Sequence, residues 1–324
     1  MMLGLRTFRV LLLPALFAVA VAAAADPSPE KLLAQGHADE AISTLQKATS
    51  GAPDDAESYN LLCRAYFSFG DWDRGISACE KATQLAPNNG LYHLWLGRIY
   101  GEKADSANFL SAAVLAKKVR TEFEAAVRLS PESAEAHSDL AEFYLEAPGI
   151  VGGGREKAEA QAETLDRLDP AKAHWVRGRI AEKRKDRAAA EREYRAAIEA
   201  SHGGALAWFN LALFYRHNEQ FDQMEDALNH ALAAPLDRPE VVMESAEVLI
   251  RSGRNFPGAI ELLRRYLASS EKVEQAPAFK AYYLLGTALE KQGNKQGAAR
   301  EYNAALALAK NYSQAREALN RLAH

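Results

Sequence analysis

Residues 56–89 read AESYNLLCRAYFSFGDWDRGISACEKATQLAPNN. Counting Ala56 as position 1 places Tyr59, Leu62, Cys63 and Tyr66 at positions 4, 7, 8 and 11, three or four residues apart on one helical stripe. Gly75, Cys79 and Ala82 follow at positions 20, 24 and 27, and Pro87 stands at 32. Small residues at 8, 20 and 27 let two antiparallel helices approach, and large ones at 4 and 11 fill the space between them. Proline lacks an amide donor and disfavours helix in the residue before it, so Pro87 ends the second helix. The stretch therefore predicts a helix-turn-helix hairpin.

The hairpin recurs. A small residue occupies position 8 at Cys63, Gly97, Ala141, Gly178, Ala212, Ala246 and Gly286, with spacings of 34, 44, 37, 34, 34 and 40 residues. Residues 205–236 repeat the pattern through Trp208, Leu211, Ala212, Tyr215, Leu228 and Ala231. The unit starting at Phe279 does so through Tyr282, Leu285, Gly286, Ala298, Tyr302 and Ala305, and Pro53 and Pro131 share the place of Pro87. A period near 34 residues marks a helical solenoid, because one hairpin cannot bury its stripe without neighbours.

These residues resemble the tetratricopeptide repeat over almost all of 28–311. The resemblance implies an all-α, right-handed α-solenoid of about eight helix-turn-helix repeats, about sixteen helices, with no strands. Its domain division is 1–25 as an export signal, 26–311 as the solenoid and 312–324 as a capping helix. That helix would turn Ala315, Leu319 and Leu322 inward and Arg316, Glu317, Asn320 and Arg321 to water.

Arg6 and Arg9, the apolar run 10–21 and Ala23-Ala24-Ala25 compose a secretory signal, with the apolar run short of the roughly 20 residues that span a bilayer. No cysteine lies at its boundary, so lipid anchoring there is not indicated, and a bacterial periplasm is the expected destination. A retained N-terminal anchor is the alternative. No later segment reads as a membrane span. Without the signal the chain holds 37 basic against 43 acidic residues, a net charge of about −6. That balance argues against nucleic acid, whose phosphates call for a basic face.

Cys63 and Cys79 are the only cysteines and fall at positions 8 and 24 of one repeat, which face each other across a hairpin. In an oxidising compartment they could bond; the alternative is two reduced cysteines packed as small core residues. No CxxC, HExxH, GxSxG or paired His/Cys spacing occurs. The reading is of no enzyme, no cofactor and no metal. His93 and His137 occupy position 4, a packing site.

The departures from the period carry information too. The first unit is truncated, which a solvent-facing end repeat tolerates. An insertion near 101–119 predicts a short ledge and a lengthened second helix, with Lys117, Lys118 and Arg120 either solvated or touching an acidic partner. A second insertion, APGIVGGG at 147–154, reads as a flexible loop or as a phosphate cradle of free backbone amides. Residues 269–277 lengthen one connection with polar residues.

In the repeats this chain resembles, positions 2, 5, 9, 12 and 13 of the first helix line a concave groove. The residues so placed include Asn60, Arg64, Leu94, Arg98, Glu142, Trp175, Arg179, Phe209, Leu213, Arg216, Met243 and Tyr283. Exposed Trp175, Phe209 and Leu213 beside Arg179 and Arg216 would make a binding hot spot, unless these side chains fold into the core. Position 5 holds no lysine, which excludes the family's carboxylate clamp for peptide C-termini. The expected function is a non-enzymatic scaffold or adaptor in the periplasm, holding a protein segment for assembly of an envelope or secretion complex. Capture of a glycan or cell-wall fragment is one alternative. A chaperone-like role in cytochrome or outer-membrane biogenesis is another.

Overall fold

The computed structural model describes residues 27–235 and 238–323. The expected signal at 1–25 lies outside them. Among the described residues there are seventeen α-helices, one short 3-10 helix and no strand. They pair into eight antiparallel hairpins. The first four are α1 (Pro29–Ala34) with α2 (Ala38–Gly51), α3 (Ala56–Phe69) with α4 (Trp72–Leu85), α5 (Gly90–Asp105) with α6 (Phe109–Leu129), and α7 (Ala134–Glu146) with α8 (Arg155–Leu168). The next are α9 (Pro170–Lys183) with α10 (Arg187–Ala200), and α11 (Ala205–His217) with α12 (Phe221–Ala233). The last are α13 (Glu240–Arg251) with α14 (Phe256–Ala268), and α15 (Ala278–Lys291) with α16 (Lys295–Leu308), followed by α17 (Ser313–Ala323). No described helix is long and apolar enough to cross a membrane.

Local chemistry sets the helix starts. Side chains of Asp71, Asp186, Asn255 and Asn294 accept hydrogen bonds from the backbone N–H three residues on, capping α4, α10, α14 and α16. Within a hairpin, position 8 of the first helix lies against position 24 of the second. A Cβ placed on Gly286 would sit 2.5 Å from the Tyr302 ring, and Gly97 and Gly178 meet Phe123 and Tyr194 in the same way. In the second hairpin the same two positions are Cys63 and Cys79, joined as a disulfide with Cα atoms 5.2 Å apart.

Successive hairpins are held in register by tyrosines at position 11. Tyr100 and Tyr144 donate to Glu80 and Glu124 on the preceding hairpin, Tyr215 donates to Glu191, and Tyr66 accepts from Gln46. Histidines at position 4 tie the hairpin base. His93 bonds Glu122 at 2.6 Å and the Pro87 carbonyl at 3.0 Å, and His137 bonds Gln161 and the Pro131 carbonyl. The Glu122 contact lifts His93 above the ordinary histidine range against the opposing effect of burial.

The two insertions take definite forms. The first lengthens α5 and α6 together, and the expected ledge is an overhanging helical tip with Phe109, Leu110 and Val114 exposed. The second takes the form of a compact 3-10 turn, Gly149–Val151, between α7 and α8. Its amides are spent internally: Gly152, Gly153 and Gly154 donate to Gly149, Pro148 and Tyr144. Those three amides are therefore not free to hold a phosphate.

The largest departure from expectation is at the ends. The truncated first repeat does not face water. Gly36, with φ +78°, lies so close to α15 that a Cβ on it would sit 2.6 Å from the Ala278 nitrogen. Ala38 is fully covered, in one apolar cluster with Phe279, Ala305, Ala309, Tyr312 and Ala315. Phe69 packs on Phe279 at 5.6 Å, and Phe279 on Tyr312 at 5.0 Å. The Lys310 amide donates to Asp39 at 2.8 Å. The solenoid closes on itself, and α17 covers the join as well as the last repeat.

Candidate functional site

Closure creates a cavity of ≈ 800 Å³ walled by residues from both ends of the chain. One wall comes from α3 and α5, with Arg64, Phe67, Trp95, Arg98 and Glu102. The facing wall comes from α13, the 269–277 connection and α15, with Glu247, Glu274, Lys280 and Tyr283. Trp95 is packed by Phe67, edge-on at 5.5 Å, and flanked by the guanidinium groups of Arg64 and Arg98 at 5.3 and 5.0 Å from its ring centre. Aromatic rings hold cations in this way through the negative face of the π system.

Nearly every charge in the wall is already paired. Arg64 grips Glu274 through two parallel hydrogen bonds, one from Nε at 2.9 Å, in the bidentate geometry guanidinium and carboxylate favour. Arg98 reaches Asp139 at 2.7 Å and Glu135 at 2.6 Å. Burial works against the charge on Arg98, but the two carboxylates outweigh it and its pKa is raised. Lys280 and Arg251 share Glu247, at 2.9 and 2.7 Å, and Arg238 holds Glu240 at 2.5 Å. Glu102, in the cavity wall, and Glu244 of α13 take part in no ion pair among the described residues. Burial pushes both carboxyls above the usual range; Asp105 adds to this at Glu102 and Glu240 at Glu244, while Lys280 eases both. Among the charged residues that line the cavity, Glu102 is left without an ion-pair partner.

Of the residues the sequence placed in the groove, Arg64, Arg98 and Tyr283 line this cavity together. Glu142, Trp175 and Arg179 lie further along the solenoid and bind one another: Arg179 stacks over Trp175 at 5.8 Å and bonds Glu142 at 2.7 Å and Glu146 at 2.9 Å. Leu213 and Arg216 are half-buried. Asn60, Leu94, Phe209 and Met243 are buried at 2%, 2%, 7% and 0% exposure, so the expected surface of Trp175, exposed Phe209 and Leu213 does not form. All four stand at position 5. Consecutive first helices touch one another, as in α3 with α5 and α11 with α13, and these four side chains are buried there, whereas Trp175 and Tyr283 at the same position stay half-buried. Position 9, one turn further, faces the hollow.

Sequence reasoning missed Trp95 and Glu274. Trp95 sits at position 6, off the expected stripe, yet it lies between two position-9 arginines of successive repeats, Arg64 and Arg98. Glu274 comes from the lengthened 269–277 connection, whose length was the available signal. Among the described residues no group of His, Cys, Asp and Glu is arranged to hold a metal ion.

Models of the tetratricopeptide repeat match residues 32–99, 205–236 and 243–315. No curated protein matches the chain. Among solved structures, a thermophilic tetratricopeptide repeat protein of Thermus thermophilus is 18% identical, the match covering 60% of this chain and 99% of that one, with a TM-score of 0.44. A tetratricopeptide repeat protein from Parabacteroides merdae is 16% identical, covering 83% and 99%, with a TM-score of 0.42. The C-terminal part of a repeat protein from Cytophaga hutchinsonii is 13% identical, covering 90% and 98%, at 0.43. These likenesses concern the fold and assign no residue a role.

Proposed function

The chain is built of tetratricopeptide repeats, and from that premise we propose that it is a non-enzymatic scaffold of the bacterial periplasm that holds an extended protein segment in its central cavity. The observation that carries this reading is the wall itself. Half-buried Phe67 and Tyr283 offer aromatic area beside the buried Trp95, while the paired arginines are fixed in place and so lose little freedom on binding. Hot spots of protein interfaces are made of these residue types. The unpaired carboxylate of Glu102 in the cavity wall favours a segment bearing a lysine or arginine, whose ammonium or guanidinium would pair with it. Export rests on the signal-like residues 1–25, and a role in assembling an envelope or secretion complex follows from that address.

The test is a titration of the full chain with unstructured peptides that differ only in charge, read by tryptophan emission. Trp72 and Trp95 both line the cavity, so occupancy should alter their emission. A saturable response to the basic peptide is expected, weakened about tenfold by Glu102→Gln. Silence with every peptide, or saturation by a glycan fragment alone, would defeat the reading.

A further inference from the structure

The cavity exists because two regions 210 positions apart in sequence meet, and the join between them is small. It consists of one bidentate ion pair, one hydrogen bond from a backbone amide, the close approach of Gly36 to Ala278, and one cluster of rings and alanines. The ion pair is Arg64 on α3 with Glu274 in the 269–277 connection, with side chains 21% and 12% exposed. The amide bond is Lys310 to Asp39. The cluster is Phe69 and Ala38 against Phe279 and Tyr312.

Both sides of the join are rigid, so they meet as preformed surfaces. On the C-terminal side, the buried Tyr266 hydroxyl donates to the Ala276 carbonyl at 2.7 Å and accepts from the Val273 amide, which pins the connection that presents Glu274. On the N-terminal side, Arg64 follows Cys63, so the disulfide to α4 fixes the helix that presents the guanidinium. Two firm bodies joined through a narrow contact are the ingredients of hinge closure, in which flexing is spread over the remaining hairpins. A solenoid suits this, since each hairpin touches only its neighbours and small changes of angle add along the stack.

We propose that Arg64–Glu274 and the Phe69–Phe279–Tyr312 packing form a latch between the first and last repeats. Separation of the ends admits an extended segment to the cavity, and reclosure encircles it. The latch belongs to the unliganded molecule; its role in admitting a segment rests on the function proposed above. Salt acts on the ion pair only weakly, because side chains 21% and 12% exposed are screened far less than charges in open water, so charge reversal is the direct probe.

The experiment uses the full chain without any partner, so it stands apart from the peptide titration. Small-angle X-ray scattering gives the radius of gyration, hydrogen exchange follows the Lys310 amide, and circular dichroism checks helix content. Arg64→Glu and Glu274→Arg should each enlarge the particle and speed exchange at Lys310 about tenfold or more. The double exchange of charge, Arg64→Glu with Glu274→Arg, should return both readings to those of the natural chain. Gly36→Ala, which puts a methyl where Ala278 already sits, should open the join without touching charge. Should a charge-reversed variant lose helix content, the milder Glu274→Gln decides, with expansion and faster Lys310 exchange expected. Unchanged scattering and unchanged Lys310 exchange in the helical single variants would overturn the latch, as would a charge-exchanged double variant that stays open.

Discussion

The hairpins α3–α4 and α15–α16 occupy opposite ends of the sequence and solve one packing problem by different chemistry. Each must fill the space where position 8 of its first helix faces position 24 of its second. In α15–α16 a glycine gives way to a tyrosine: Gly286 leaves room for the fully buried Tyr302, whose hydroxyl ends on Glu290 at 2.6 Å. In α3–α4 two fully buried cysteines of middle size meet halfway and bond. The repeat conserves the volume between the helices, and the identity of the residues is free to vary around it. The difference is in how each hairpin fails. A packed contact weakens by degrees, whereas a covalent one is present or absent.

Removing the bond should have the largest effect. A disulfide spanning 16 residues stabilises by about 3 kcal/mol through the entropy it takes from the unfolded chain. Reduction, or Cys63→Ala with Cys79→Ala, should therefore speed amide exchange throughout α3 and α4 while leaving α15 and α16 near their original rates. Equal loosening of both hairpins would show that the join between the chain ends, and not the bond, carries the stability of α3–α4.

The reciprocal change comes next in size. Gly286→Val forces branched carbons against the Tyr302 ring and should cost about 2 kcal/mol by overpacking, lowering the melting temperature. A silent result would mean that α15 can slide away from α16, and that the comparison rests on the wrong contact.

The smallest effect belongs to a hairpin that also sets a glycine against a ring, Gly97 against Phe123, and adds an ion pair at its base. In α5–α6, His93 is held above the ordinary histidine range by Glu122. A histidine whose pKa is raised on folding contributes stability that is complete below its unfolded value and fades as pH climbs through the folded one. Thermal melts from about pH 6 to about pH 8 should show a slight loss that His93→Gln abolishes. Persistence of the slope in the variant would place its origin elsewhere.

Much of the fold could be read from single residues, and the candidate site only in part. The stripe of Tyr59, Leu62, Cys63 and Tyr66 fixes a helix face, and the facing of Cys63 and Cys79 follows from hairpin geometry. Both are local properties, set within 34 residues. Arg64 and Arg98 were legible for the same reason, being one turn beyond the packing stripe. Phe209 and Met243 were not, because their burial depends on how closely the next first helix approaches. Closure is further still from local pattern. It depends on small angles summed over eight hairpins, and no window of sequence carries that sum. The truncated first repeat and the long 269–277 connection were visible as irregularities, but what they do appears only when Glu274 is seen beside Arg64.

Closure also imposes an arithmetic on the lineage of this chain. An open stack can gain or lose a module at little cost, since a new end resembles the old one. A circle cannot, because its modules must together turn through one full revolution. Duplication or deletion of a single hairpin would leave a gap or an overlap at the join. A chain of this design is therefore expected to change by altering side chains and tips, such as the overhang at Phe109, while its count of modules stays fixed.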